Sequence, residues 1–444
     1  MPLLAGQRTL VMGVLNATED SFTGDGLADD LEALVARGLR MTLDGADVLD
    51  VGAASTRPGH ALVPLDVERT RASRAVAALA ERVAITLSVD TVRPEVAEAC
   101  LVRGATVVND VSGLADERIG ALAARFGATL VLVHGRPSER SRAARDAAPE
   151  LVVADVRHAL SSACARAERL GCARERVFVD PGLGFAKTTA ESFALLRELG
   201  GLRDIAPILV GASRKGHLGT VTGRTVEHRS FATAGAVAAA ILAGADAVRV
   251  HDVAEMVDVV RVADAVRRPA AVHPPPRVAF IGLGANLGDR ETTLRRAILA
   301  LAGLGEVLAV SRLWETAPQL VTDQPAFLNA VAAIRVAPGP VGVLVEQLGD
   351  LEHRLGRTVG ERYGPRAIDL DLLLFAGQPA IEIDGPVTVP HPRLAERRFA
   401  LAPLVELAPD ERDPRTGQPV RSLVAAVGDQ PATVVEGGAW WRTS

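Results

Sequence analysis

Eight short apolar runs recur through residues 1–268, and each ends at a polar side chain. The runs are Thr9–Leu15, Ala46–Val51, Ala84–Val89, Thr106–Val108, Thr129–Val133, Arg176–Val179, Ile208–Val210 and Ala247–Val250. Stretches rich in Ala, Leu and Arg lie between them, Leu31–Leu43 and Ser230–Ala243 among them. Near-continuous apolar strands alternating with helices indicate a parallel sheet covered on both faces. Eight such units predict an α/β fold, a (β/α)8 TIM barrel, with a doubly wound open sheet as the competing architecture.

The polar ends sharpen this expectation. They are Asn16, Asp50 with Ser55-Thr56-Arg57, Asp90, Asn109-Asp110, His134, Asp180, Ser213-Arg214-Lys215, and Arg249 with His251. In a parallel barrel all strand C-termini share one face, and that face carries the active site. Helix capping accounts for part of the set, Asp110 included, and for Thr91 just after Asp90. It does not account for Lys215, Arg249 or His251, which are poor caps.

A second domain begins after Arg267–Pro276, whose three consecutive prolines fit neither a helix nor a central strand. The expected division is 1–268, an extended Pro-rich linker 269–276, and 277–444. The later part reads as strand Arg277–Leu283, helix Glu291–Leu301, strand Val307–Trp314, strand Phe327–Val336, helix Val341–Leu355 and strand Ala367–Phe375. That βαββαβ order predicts a ferredoxin-like α+β sandwich. The tail Asp413–Ser444 gives no clear reading, beyond two tryptophans, Trp440 and Trp441, able to pack on something.

Charge and cysteine usage narrow the function classes. A net charge of −5 without a basic stripe argues against a nucleic-acid partner. The three cysteines fit neither a zinc site nor a disulfide framework. No leader pattern and no bilayer-length apolar run is read, so a soluble, cytoplasmic protein with no membrane association is expected.

The barrel mouth suggests a phosphorylated, donor-rich small molecule. In Gly211-Ala-Ser213-Arg214-Lys215-Gly216 small residues admit a ligand close to the backbone, and Arg214 and Lys215 add positive charge. Arg249 and His251 are two apart on a strand, so they face the same way. Together these could form an anion pocket, although a Ser-Arg-Lys run is also common on surfaces. Asp90 and Asp180, with Asn109, could accept hydrogen bonds from a guanidine-like edge such as that of a pterin.

In the second domain Asp369 and Asp371 share one strand face. Two like charges so close call for cations, and a pair of Mg²⁺ ions bridging to nucleotide phosphates would serve; a solvated edge strand is the plain alternative. Arg357, Arg362 and Arg366 precede the pair, as a triphosphate site requires. Gly282-Leu-Gly284-Ala-Asn286-Leu-Gly288 has the wrong spacing for a dinucleotide loop, and a turn in a pterin or nucleotide site is expected instead.

Six ordered motifs of the first domain resemble those of dihydropteroate synthase. They are Met12–Phe22, Asp50–Gly59, Ser88–Thr91, Asn109–Gly113, Asp180–Lys187 and Arg249–Asp252. The resemblance implies a barrel joining 6-hydroxymethyl-7,8-dihydropterin pyrophosphate to 4-aminobenzoate, with one Mg²⁺. It implies that Asp90, Asn109, Asp180 and Lys215 hold the pterin, with Phe185 and Gly211 in the substrate site. Asn16 would help bind that Mg²⁺, Arg249 and His251 the pyrophosphate, and Thr56, Arg57 and Ser213 the aminobenzoate. It also implies a homodimer through the barrel. The sequence departs from the family at Glu19, Thr23-Gly24 and Ala53-Ala54, all in the first two loops.

The second domain resembles 6-hydroxymethyl-7,8-dihydropterin pyrophosphokinase. The resemblance rests on Gly284–Arg290, Glu315-Thr316, Asp323–Pro325, Phe327–Ala330, Leu355–Arg357, Tyr363–Arg366, the acid pair and Val389–Pro392. It implies pyrophosphoryl transfer from ATP with release of AMP, and two Mg²⁺ ions on Asp369 and Asp371. Phe327 and Phe399 would sandwich the pterin, with Asn329 and Thr316 on its edges; core packing is the alternative for each phenylalanine. Arg366, His391 and Arg397 would contact phosphates, and Glu352 and Arg357 would lie by the nucleotide. Val359, Tyr363 and Ala317 depart from the usual residues. A bifunctional enzyme of folate synthesis is the expectation. The alternatives are an active kinase with a barrel that only binds pterin, and a pterin-dependent methyltransferase barrel.

Overall fold

The computed structural model of the chain describes residues 6, 8–17, 27–54, 63–135, 149, 151–268, 272, 274–318, 321, 323–358, 364–382, 388–436 and 439–442. The chain divides into two compact units, Met1–Ala80 with Thr86–His273, and Glu81–Ile85 with Pro274–Ser444.

The first unit runs β1 (Leu10–Asn16), α1 (Leu27–Asp44), β2 (Val48–Gly52), α2 (Leu65–Ala80), β3 (Thr86–Asp90), α3 (Pro94–Val102), β4 (Val107–Asp110), α4 (Glu117–Phe126) and β5 (Thr129–Val133). It continues with α5 (Leu151–Arg169), β6 (Val177–Asp180), α6 (Thr189–Arg197), β7 (Leu209–Val210), α7 (Gly216–Thr222), α8 (Ser230–Ala243), β8 (Ala247–Val250) and α9 (Val253–Arg267). Local signals set several boundaries. Asp116 caps α4 and Gly127 ends it at φ 61°, and Thr188 and Glu191 form a capping box on α6.

The strands form one parallel sheet in the order β6-β5-β4-β3-β2-β1-β8-β7. Val179 bridges to Ile208 in parallel, which joins β6 to the chain entering β7 and closes the ring. β1 lies between β2 and β8, so the structure is a barrel and not an open doubly wound sheet. The interior is packed by Leu10, Met12, Val48, Val107, Val131, Phe178, Leu209 and Ala247 with their neighbours. Side chains alternate along a strand, so the residue two places on faces the same way. Two places beyond Val48, Val107, Phe178, Leu209 and Ala247 stand Asp50, Asn109, Asp180, Gly211 and Arg249. The same inward stripe that fills the core therefore delivers these groups to the mouth.

The second unit runs β9 (Arg277–Ala285), α10 (Arg290–Leu301), β10 (Glu306–Val310), β11 (Leu313–Thr316), β12 (Phe327–Val336), α11 (Val341–Arg354) and β13 (Asp369–Phe375). Then follow β14 (Ile381–Glu382), β15 (Thr388–Val389), α12 (Arg398–Leu407), α13 (Val420–Ala426) and β16 (Ala432–Glu436). The main sheet is antiparallel in the order β13-β9-β12-β11-β16, with β10 also on β12. This is the ferredoxin-like arrangement, with α10 and α11 on one face.

Two expectations need correction. The single strand expected over Val307–Trp314 is two strands, β10 and β11, parted at Ser311-Arg312. There the Ser311 hydroxyl accepts from the Val331 N–H at 2.9 Å, taking the place of a ladder carbonyl. The Ser311 carbonyl accepts instead from Trp440 Nε1 at 2.9 Å. The run from Gly282, expected as a turn, lies largely within central strand β9. The tail left unread from sequence supplies α13, edge strand β16 and two tryptophans buried in the core.

Candidate active sites

At the barrel mouth four strand ends meet in one charged network. Arg249 donates from Nε to Asp50 Oδ2 at 2.6 Å and from a terminal nitrogen to Asp90 Oδ2 at 2.8 Å. Asn109 Nδ2 donates to the same Asp50 oxygen at 2.9 Å. Asp50 was not singled out as a site residue from sequence, yet it is fully buried and anchors both partners. Asp90 Oδ1 and Asn109 Oδ1 are buried with no hydrogen-bond partner. Unmatched buried acceptors of this kind are costly unless a ligand supplies donors. Burial pushes the Asp90 carboxyl up to about 7, against the pull of Arg249.

The remaining walls come from β6, β7 and β8. Asp180 accepts from Gly182 N at 2.7 Å, and burial raises its pKa. A Cβ at Gly211 would sit 3.5 Å from Asp180 Oδ2, so glycine leaves that carboxylate room. Lys215 Nζ lies 3.9 Å from the centre of the Phe185 ring, a cation–π contact. Lys187, which carried no assigned role, fixes that loop by donating to the carbonyls of His134, Gly182 and Phe185 at 3.0, 2.9 and 3.3 Å. His251 Nδ1 and Ser213 Oγ are 2.9 Å apart. Burial and Arg249 push the His251 pKa down to about 4, so the ring is neutral at pH 7.

Arg214 does not join this set as a free cation. Its Nε donates to Asp252 at 3.1 Å, and its backbone, at φ 57°, is held by Thr233 Oγ1 at 3.1 Å. Asp110 serves the turn after β4, accepting from Ser112 N at 2.8 Å and Leu114 N at 2.7 Å. Asn16 Oδ1 and Asp90 Oδ2 flank the place a Gly52 Cβ would take, at 3.8 and 3.9 Å.

In the second unit a cleft opens on the sheet face away from α10 and α11. Alternation builds its floor. Ile281, Leu283, Leu328, Ala330, Leu370 and Leu372 enter the core. The positions between them present Gly282, Gly284, Phe327, Asn329, Asp369 and Asp371 to the cleft. Gly284 pairs with both Asn329 and Asp369 across its neighbouring strands, and a Cβ there would come within 3.2 Å of Asn329 Oδ1. Thr316, Arg366, Arg397 and Phe399 complete the expected residues that line it. Phe327 and Phe399 are both half-buried cleft residues and stand outside the core cluster.

One end of the cleft is charged. Asp369 Oδ1 accepts from Arg357 at 2.8 Å and Arg366 at 2.9 Å. Arg397 lies 3.7 Å from Asp371 Oδ2. Burial and then Asp369 push the Asp371 carboxyl up to about 6. The other end is polar and neutral, with Asn329 Nδ2 donating to Thr316 Oγ1 at 2.8 Å. Glu352, expected at the nucleotide, is buried: it accepts from Leu370 N at 2.7 Å and from Arg357, and so braces the strand that carries the acid pair. His391 is half-buried beside Arg397, 3.5 Å away, and its pKa is pushed down to about 4 by burial and that arginine. Sequence reasoning assigned no role to Asn286, which accepts from Arg366 N at 2.8 Å and donates to Gln324 at 3.0 Å.

Residues 12–251 match the family of pterin binding enzymes. The chain belongs to that family. Residues 280–409 match a second family, 7,8-dihydro-6-hydroxymethylpterin-pyrophosphokinase. A dihydropteroate synthase of Synechocystis is 38% identical over 254 residues, 56% of this chain and 88% of the relative. A dihydropteroate synthase structure from Clostridium difficile, in the presence of pteroic acid, aligns with TM-score 0.55 and 33% identity, over 60% of this chain and 98% of that one. One from Xanthomonas albilineans, in complex with 7,8-dihydropteroate, aligns with TM-score 0.53 and 37% identity, over 59% of this chain and 95% of that one.

The polypeptide thus joins a dihydropteroate synthase domain to a pyrophosphokinase domain, two enzymes of folate synthesis. In the synthase domain, Thr56 and Arg57 lie outside the described residues, as do the departures Glu19 and Thr23-Gly24. In the pyrophosphokinase domain, Arg362, Val359 and Tyr363 lie outside them too. No helix among the described residues is long and apolar enough to cross a membrane.

Proposed function

We propose that the two sites run consecutive reactions, with domains 1–268 and 277–444 joined by the linker 269–276. The pyrophosphokinase site transfers the β,γ-pyrophosphoryl group of ATP to 6-hydroxymethyl-7,8-dihydropterin and releases AMP. The synthase site then joins the product to 4-aminobenzoate and releases pyrophosphate. The observation that carries the reading is the polarity of the second cleft. It pairs two half-buried phenylalanines and an Asn–Thr edge, suited to a flat polar ring, with an acid pair and arginines suited to phosphates.

In the pyrophosphokinase site the pterin lies between Phe327 and Phe399, with Asn329 and Thr316 on its edge. Arg366 and Arg397 hold the polyphosphate, with His391 and Arg357 beside it. The pterin hydroxyl oxygen attacks the β-phosphorus and gives up its proton to solvent, the bond from that phosphorus to the α-phosphate oxygen breaks, and the electron pair leaves with AMP. Such chemistry rests on positioning and charge stabilisation.

In the synthase site Asp90, Asn109 and Asp180 accept from the pterin, and Lys215 and Phe185 close over it. Arg249, His251 and Ser213 face the pyrophosphate, with Thr56 and Arg57 toward the aminobenzoate. The C–O bond between the pterin methylene and pyrophosphate breaks, and its electron pair leaves with pyrophosphate. The arylamine nitrogen bonds to the methylene and loses a proton.

Magnesium fits both donor sets. No cluster of three or more metal-ligating side chains occurs among the described residues. Mg²⁺ commonly takes one or two carboxylates and completes its shell with phosphate oxygens and water. Asp369 and Asp371 would hold two ions, and relieve the repulsion that raises the Asp371 pKa; Asn16 would hold one with the pyrophosphate. Bound there, Mg²⁺ would neutralise phosphate charge. A homodimer through helices α8 and α9 of the barrel completes the reading, since these helices expose Phe231, Leu242, Val262 and Val266.

The test is product analysis with ATP labelled in its β- and γ-phosphates. Label on the pterin together with AMP is expected, with loss of both in Asp371→Ala. Release of ADP in place of AMP would refute the pyrophosphokinase assignment.

A further inference from the structure

We propose that Gln430 is a positioning residue for the pyrophosphokinase cleft, setting Arg397 and Phe399 from a segment beyond the matched family residues, which end at 409. The proposal rests on the pyrophosphokinase reading of that cleft.

The side-chain amide of Gln430 makes two bonds to one stretch of backbone. Its Oε1 accepts from Arg398 N at 2.9 Å, and its Nε2 donates to Glu396 O at 2.8 Å. These two groups flank Arg397, so the amide clamps the chain on either side of that residue. Arg397 extends into the cleft beside Asp371, and its guanidinium lies 5.4 Å from the centre of the Phe399 ring.

The need for an outside clamp follows from helix geometry. α12 starts at Arg398, and the first N–H groups of a helix have no partner within it. A Ser, Thr, Asp or Asn at the preceding position would ordinarily supply the acceptor. Here that position is Arg397, with φ −118° and ψ 97°, and its side chain makes no capping bond. A cationic side chain committed to the cleft cannot also cap. Gln430 provides the missing acceptor and fixes the residue before the cap with its donor.

Its own placement is secured from both sides. The Gln430 carbonyl accepts from an Arg398 guanidinium nitrogen at 3.0 Å. Two residues on, Ala432 pairs with Thr316, so β16 ties the clamp to the strand bearing the polar edge of the cleft. Gln430 and Pro431 also line a recess whose walls include Thr316 and Phe399. Without the clamp, residues 396–398 can turn, and both Arg397 and Phe399 move with them.

The experiment compares full-length wild type with Gln430→Ala and Gln430→Met, the second keeping bulk but neither hydrogen bond. AMP release is measured against pterin and ATP concentration. Dihydropteroate formation from supplied pterin pyrophosphate and thermal unfolding serve as controls. Both variants should lose about tenfold to a hundredfold in kcat/KM for the pterin, as expected for a displaced positioning element. The barrel reaction should stay near wild type, and Tm should fall by no more than the few degrees that a lost helix cap costs. Wild-type kinetics in Gln430→Met would overturn the clamp, as would an equal loss in the barrel reaction. Absence of AMP from the wild type would instead remove the pyrophosphokinase reading, and the proposal with it.

Discussion

At the residue scale, the barrel site turns on Asp90. Its carboxyl, pushed up to about 7, is largely protonated at pH 6 and largely ionised at pH 8 in the free protein. A pterin edge presents hydrogen-bond donors, so the ionised form is the one that binds, and binding must release the proton below pH 7. Affinity for a pterin ligand should therefore rise with pH, by about tenfold between pH 6 and 8 for a single group of this pKa. His251, with its pKa near 4, adds nothing in that window. Calorimetric titration across this range, with Asp90→Asn alongside, should show a slope in the wild type and a flat, weaker profile in the variant. A pH-independent wild type would contradict the assignment. The strand ends made Asn109, Asp180 and Arg249 legible from sequence, because each stands two places beyond an inward apolar residue; Asp90, which follows Ser88 in that stripe, was legible from its place at the end of its apolar run. Asp50 obeys the same rule, but its partners, Arg249 and Asn109, are far away along the chain. Arg214 misled for the same reason: nothing local announces Asp252 as its partner.

At the scale of elements, strand alternation explains more than propensity does. β9, β12 and β13 each send one set of side chains into the core and the other into the cleft, which is why glycines sit at 282 and 284. Their spacing suggested a turn because glycine is the usual turn residue; the positions face ligand space. The break between β10 and β11 was hidden because Ser311 mimics a backbone acceptor within an otherwise strand-like run. Helices α8 and α9 leave Phe231 94% exposed and Val262 67% exposed. If two copies pair through this face, sedimentation should give twice the monomer mass, and Phe231→Glu should shift the population to monomer. A wild type that sediments as a monomer would contradict the pairing.

At the scale of the whole molecule, one chain carries the domains of two pterin enzymes, and among the described residues the paired carboxylates belong to the second. Domain order and both fold classes were legible because hydrophobic periodicity and the proline run are local signals. The tail was not, since its strand and tryptophans gain meaning only against β11 and Ser311. The most direct test supplies 6-hydroxymethyl-7,8-dihydropterin, ATP, Mg²⁺ and labelled 4-aminobenzoate to the wild type, Asp371→Ala and Lys215→Ala. The account predicts labelled dihydropteroate from the wild type alone. Added pterin pyrophosphate should restore it in Asp371→Ala and leave Lys215→Ala inactive. A wild type that makes none even from supplied pterin pyrophosphate would contradict the account.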